Sequence, residues 1–151
     1  VLFRIGNILF YTRILDGTYP DTSKIIPQTY KTNTTFNVRL LTDAIDRAYL
    51  LSREEKTNIV RLASLEENGG PIEVSSSSAE LGRVKDTVPV ERYEGEPLKI
   101  SFNSKYILDV LKVTDSETIR IGFTGAMSPM VLQPDGDENV LHLILPYRTS
   151  N

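Results

Sequence analysis

FNVRLLTDAI, residues 36–45, returns in altered form as FNSKYILDVL, residues 102–111. Both copies read Phe-Asn, then a basic residue two places on, an aliphatic, an Asp and a further aliphatic. In each, a β-rich lead-in breaks at Asn, whose short side chain can accept from the free N–H groups of a helix's first turn. The first copy predicts a helix from Val38 to about Arg53. Val38, Leu41, Ile45, Ala48 and Tyr49 keep a helical period, with Arg39, Asp43, Asp46 and Arg53 on the opposite side. The segments after the two helices also repeat: NIVRLAS (58–64) answers TIRIGFT (118–124), and PIEVSSS (71–77) answers PMVLQP (129–134). The order strand, capped helix, strand, turn, strand thus occurs twice. Such a chain predicts an α+β domain with pseudo-twofold symmetry, its two helices on one face of antiparallel strands and the other face wet.

Outward from the repeat, LFRIGNILFYTRIL near the start reads as a hairpin turning at Gly6-Asn7. DGTYPDTSKIIPQTYKTN has linker composition, so a boundary is expected near residue 27: a hairpin and linker at 1–27, and a complete domain at 28–151. The run Ser75–Ser78 alternates with Ile72 and Val74, which predicts an exposed strand. An Asn-Gly-Gly turn at 68–70 precedes that strand. RVKDTVPVERY (83–93) reads as one further strand, with Pro89 marking an edge or bulge. Val140–Leu145 reads as a last apolar strand running into Pro146-Tyr147-Arg148. The chain opens on Val1 in strand-like sequence, without Met, and is read as a fragment of something longer.

Composition narrows the chemistry. The 151 residues include no Cys and one His, which excludes disulfides, a Cys nucleophile and a Cys/His metal centre; no cofactor is expected. The cytoplasm is the expected location, and no apolar run approaches the roughly 20 residues of a membrane span. His142 alternates with Val140 and Ile144 and reads as a satisfied structural side chain. Ser128 lacks the glycines of a nucleophile elbow, and ENGGPIE (67–73) is a turn without the Lys of a phosphate loop. The acidic pairs Glu54-Glu55 and Glu66-Glu67 flank turns and read as solvated. No catalytic constellation emerges, and the sequence points to a binding or architectural protein. A net charge of −3 argues against tight electrostatic binding of nucleic acid.

Four motifs in order, DGTYPDTSKIIP (16–27), FNSKYILDVL, FTGAMSPMVLQP (123–134) and LHLILPYRT (141–149), resemble the bacterial DNA polymerase III β subunit, the sliding-clamp family. The resemblance covers essentially the whole chain: the end of that family's middle domain plus its third domain. It implies a DNA-clamp fold and a ring of two head-to-tail subunits, helices inside and sheets outside. Such a ring encircles duplex DNA without sequence preference and tethers the catalytic subunit of the replicative polymerase. It has no catalytic activity, and clamp-loader subunits and repair proteins are its further partners. A ring holds DNA by topology, which reconciles the acidic balance with a DNA partner. The hole-facing candidates are Arg39, Arg47, Lys105 and Lys112.

The resemblance also implies a pocket for partner peptides, built partly from the chain's last strand. The matching positions are Pro20, Lys24 and Ile25 in the linker, Asn103 and Tyr106 on the second helix, Met127 and Pro129 in the AMSPM turn, and Leu143, Leu145, Pro146, Tyr147 and Arg148. Tyr147 is bulkier than the aliphatic residue common there, and Thr57 falls near a position that can be aromatic. The implied interface between subunits takes Leu50 and Leu51 for its apolar part, with Glu80 and Asp86 adding charge. A peptide-binding adaptor that never encircles DNA is the competing reading. Two more upstream copies of the repeat would favour the ring.

Overall fold

The computed structural model describes residues 1–54, 57–66 and 69–148. Glu55, Glu67 and Asn68, which belong to the acidic pairs and the Asn-Gly-Gly turn, lie outside the described residues. The elements in order are β1 (Leu2–Ile5), β2 (Ile8–Tyr11), a short 3-10 turn (Thr22–Lys24), β3 (Thr32–Asn37), α1 (Val38–Glu54), β4 (Ile59–Ser64), β5 (Ile72–Ser78) and β6 (Gly82–Val88). Then come β7 (Arg92–Gly95), β8 (Lys99–Asn103), α2 (Ser104–Lys112), β9 (Thr118–Phe123), β10 (Met130–Pro134) and β11 (His142–Ile144).

Both helices start where Asn stops the preceding strand. Asn37 Oδ1 accepts from the Leu40 N–H at 3.1 Å, and Asn103 Oδ1 accepts from the Lys105 N–H at 3.0 Å. One side of α1 buries Leu41, Ala44, Ile45 and Ala48, with Val38 and Tyr49 packed against the core, as the period predicts. Ile107, Leu108, Val110 and Leu111 do the same for α2.

The strands form two antiparallel sheets, β6-β5-β4-β8 and β11-β10-β9-β3-β7, beside the separate β1-β2 hairpin. The repeat explains the arrangement. Each half contributes three consecutive strands to its own sheet and sends its leading strand into the other's. Thus β3 pairs with β9, and β8 pairs with β4. Phe36 faces Ile119 and Phe102 faces Val60. Val60 therefore answers Ile119, one residue off the letter-by-letter alignment of NIVRLAS with TIRIGFT, because burial rather than identity sets the register. Phe36, Phe102, Val60, Leu62, Ile72, Val74, Ile119, Ile121, Met130 and Leu132 form one core with the two helices.

Three strand readings need correction. The serine strand is internal to its sheet, between β4 and β6, and buries Ser76 and Ser78 in line with Ile72 and Val74. Ser76 Oγ donates to the Ile59 carbonyl at 3.2 Å, which offsets the cost of burying that hydroxyl. RVKDTVPVERY is two strands, since the chain leaves one sheet after Val88 and enters the other at Arg92. Pro89, which cannot donate to a ladder, sits at that crossing. The last strand covers only His142–Ile144. His142 is half-buried within that strand.

The two crossings are related. After β6, the Glu91 N–H donates to the Thr35 carbonyl of β3 at 2.9 Å. After β11, Pro146 bridges Phe102 and the Tyr147 N–H donates to the Ser101 carbonyl of β8 at 2.6 Å. Thr35 and Ser101 are matching positions of the repeat. Pro146 and Tyr147 therefore dock on the free edge of β8 as the start of β7 docks on β3.

Candidate functional site

That docking builds a cavity. Arg61 of β4, Lys99, Ile100 and Ser101 of β8, Ala126 and Met127 of the loop before β10, and Tyr147 together line about 290 Å³. Met127 and Tyr147 are both half-exposed, at 54% and 50%, so they form walls that a ligand can reach. Ala126 extends the apolar surface, and the two charged side chains in the lining, Arg61 and Lys99, are cationic. Apolar walls with a few orienting charges suit a short peptide with an apolar anchor and an acceptor or anionic group.

Apart from Pro129, the other sequence-predicted pocket residues fall into three groups outside the lining of this cavity. Leu143 pairs with Val131 in the sheet and is half-buried, while Pro146 is fixed by its bridge to Phe102; Leu145 and Arg148 stay exposed. Asn103 commits its side chain to the α2 cap, one residue beyond the Pro146 bridge, and Tyr106 is 59% exposed on the first turn of the same helix. Pro129 is half-buried ahead of β10. Pro20, Lys24 and Ile25 form the third group, and none of them lines the cavity. They are exposed, and Lys24 pairs locally with Asp21 at 3.6 Å. The Ser23 hydroxyl and N–H, both donating to Asp21, hold its carboxyl below the usual range.

Sequence reasoning missed Arg61, Lys99, Ile100, Ser101 and Ala126. Alternation in RLA and LKIS was visible, and it places Arg61 and Lys99 away from Leu62 and Phe102. The register that brings β4 beside β8 was not.

The candidate DNA-facing cations differ in their freedom. Arg47 is tied to Asp86 of β6, with Nε donating to Oδ2 at 2.6 Å. That bond holds the Asp86 carboxyl below its ordinary value. One residue expected on the hole and one expected at the interface between subunits are thus partners within the chain. Lys112 sits 3.9 Å from Asp109. Among the described residues, Arg39 and Lys105 have no ion-pair partner, and both are exposed at matching places in the first turns of α1 and α2. Leu50 is 57% exposed, Leu51 half-buried and Glu80 exposed. Among the described residues no group of three or more potential metal ligands occurs, and no helix is long and apolar enough to cross a membrane.

The interleaved halves and their paired helices define a class. A Streptococcus pneumoniae structure titled DNA polymerase III, beta chain superposes with a TM-score of 0.85 at 42% identity, covering 98% of this chain and 39% of that one. A DNA polymerase sliding clamp from Bacillus subtilis gives 0.84 at 46% identity, covering 99% and 39%. The beta sliding clamp of Bacillus subtilis is 47% identical over 149 residues, 99% of this chain and 39% of the relative. The family model described as DNA polymerase III beta subunit, C-terminal domain, matches residues 23–148. The chain belongs to the bacterial β sliding-clamp family, and it spans 39% of the length of the curated relatives it matches.

Proposed function

We propose that the chain is the C-terminal part of a ring-shaped sliding clamp that encircles duplex DNA and tethers the replicative polymerase. It acts as a non-catalytic cytoplasmic binding protein, and its terminal pocket takes short peptide motifs of the polymerase, the clamp loader and repair proteins. Residues 1–27 then end the middle domain, and 28–151 form the third. The observation that carries the peptide reading is the cavity shared by Met127 and Tyr147 beside the docked segment 146–147. Arg39 and Lys105, symmetry-related and without ion-pair partners among the described residues, are the better candidates for phosphate contact. Leu50 and Leu51 serve the head-to-tail contact between subunits, with Glu80 adding charge, whereas Asp86 is already engaged by Arg47.

The test separates two surfaces in the full-length protein. Tyr147→Ala removes a cavity wall and should weaken a labelled partner peptide about thirtyfold, the equivalent of ~2 kcal/mol for a buried anchor. The oligomer seen by sedimentation should be unchanged. Leu50→Ala with Leu51→Ala should do the reverse. Normal peptide binding by the Tyr147 variant, with a dissociated ring, would refute this placement. Peptide binding without any loading onto circular DNA would identify an adaptor instead.

A further inference from the structure

The serine run leaves a feature that the peptide pocket does not absorb. On the sheet face away from α1, the register sets Lys85, Ser75, Arg61 and Ser101 side by side across β6, β5, β4 and β8, and the Tyr147 N–H bonds the Ser101 carbonyl at the end of that row. On one side lies the row Thr87, Glu73, Ala63, Lys99, and on the other the pairs Arg83–Ser77 and Ile59–Asn103. Small side chains along β5 sit between cations on β4 and β6. The result is a cavity of about 420 Å³ lined by Thr57, Arg61, Ser75, Ser77, Arg83 and Lys85 among others. Glu73 is the single acid in that lining and is paired with Lys85 at 2.8 Å. Arg61 and Ser101 line both this cavity and the one at Tyr147, so the two form a continuous surface.

We infer that this sheet face is an extension of the peptide pocket that receives an acidic segment flanking the partner's apolar anchor. Resting on the pocket reading proposed for Tyr147, the inference adds the chemistry of what lies beside the anchor. Four cations, Arg61, Arg83, Lys85 and Lys99, against one acid give the face a sign opposite to that of the chain, whose net charge is −3. Strands about 4.8 Å apart put Lys85 roughly 19 Å from the docked Tyr147, a span that about six extended residues cover. Hydroxyls of Ser75 and Ser77 offer donors to carboxylates between the cations. A peptide suits this face better than nucleic acid does, because the row ends at an apolar cavity and Glu73 stands within it.

The test uses the 151-residue chain and amide NMR titrations with three probes. These are a pentapeptide with Leu and Phe anchors, the same peptide extended at either end by four glutamates, and octathymidylate. One extended form should bind about tenfold tighter than the short one at low salt and shift the Ser75, Ser77 and Arg83 amides. The gain should vanish near 0.5 M salt, where such pairs are screened. Arg83→Gln with Lys85→Gln should cut the gain below twofold, and Arg83→Gln alone, which keeps the Lys85–Glu73 pair, should cut it in part. Failure of the short peptide to bind would sink the pocket reading alone, since the glutamate forms must still shift those amides. Extended forms that leave the amides unmoved, or bind no tighter than the short peptide, overturn the inference. So does octathymidylate shifting them at lower concentration than the acidic peptides.

Discussion

Arg47 and Asp86 join the outer side of α1 to β6, and the pair has a pH signature. Asp86 has a depressed carboxyl because Arg47 donates to it, opposed by partial burial and helped by the Thr87 N–H. Its contribution is therefore present above the ordinary carboxylate range, near pH 4, and is lost as the pH falls through the lowered folded value. Both side chains are partly exposed, so the contribution is about 0.5 kcal/mol. In Arg47→Met, the Asp86 carboxyl carbon followed by NMR should titrate at higher pH than in the parent. An unchanged titration would mean that Arg47 does not set it. Gly122 offers a second single-residue test. The Tyr30 ring lies over it, so a Cβ would meet Tyr30 Cδ1 at 2.5 Å, and burial of that ring pushes the Tyr30 phenol up. Gly122→Ala should cost about 1–3 kcal/mol by overpacking, and adding Tyr30→Ala should recover part of it in thermal melts. Additive losses would place the clash elsewhere.

Among the elements, the segment after β11 is held by the Pro146 bridge and by the Tyr147 N–H. Tyr147→Pro removes the N–H that reaches Ser101, a loss of about 1 kcal/mol. Hydrogen exchange should then show the β8 edge opening while amides of β4 and β9 keep their protection. Loss of protection throughout would make this docking part of the core instead. The same scale shows what was legible beforehand. Asn37 and Asn103 announced their helices because a cap is a local interaction, and the 3.6 period told which side of α1 is buried. Ser76 and Ser78 were misread because a strand's burial depends on its neighbours, and β5 turned out to lie between two others. The strand at 83–93 was read as one because both pieces carry the same β pattern; the change of sheet at Pro89 leaves no other mark. Arg47–Asp86 and Arg61–Ser101 were illegible for the same reason, since each needs a register between distant segments. The motif positions near Pro146 were named from family likeness, whereas the cationic half of their surroundings came from the pairing of β4 with β8.

At the scale of the whole molecule, the β1-β2 hairpin exposes Phe3, Ile5, Phe10 and Tyr11, and α1 exposes Leu50. Apolar surface of this kind can support weak self-association. The isolated chain should nonetheless sediment mainly as a monomer, and a stable, concentration-independent dimer would count against the proposed head-to-tail interface. The exchange of leading strands has a consequence for how this chain reaches its fold. Neither repeat can complete a sheet by itself, because β3 must find β9 and β8 must return to β4. Chain closure over such separations comes before any gain in contacts, so folding belongs to the slow, millisecond-to-second regime of long-range β pairing. A half expressed alone would keep an unmatched strand edge and tend to associate through it. Two halves supplied as separate polypeptides should reassemble only together, each acting as the template on which the other folds.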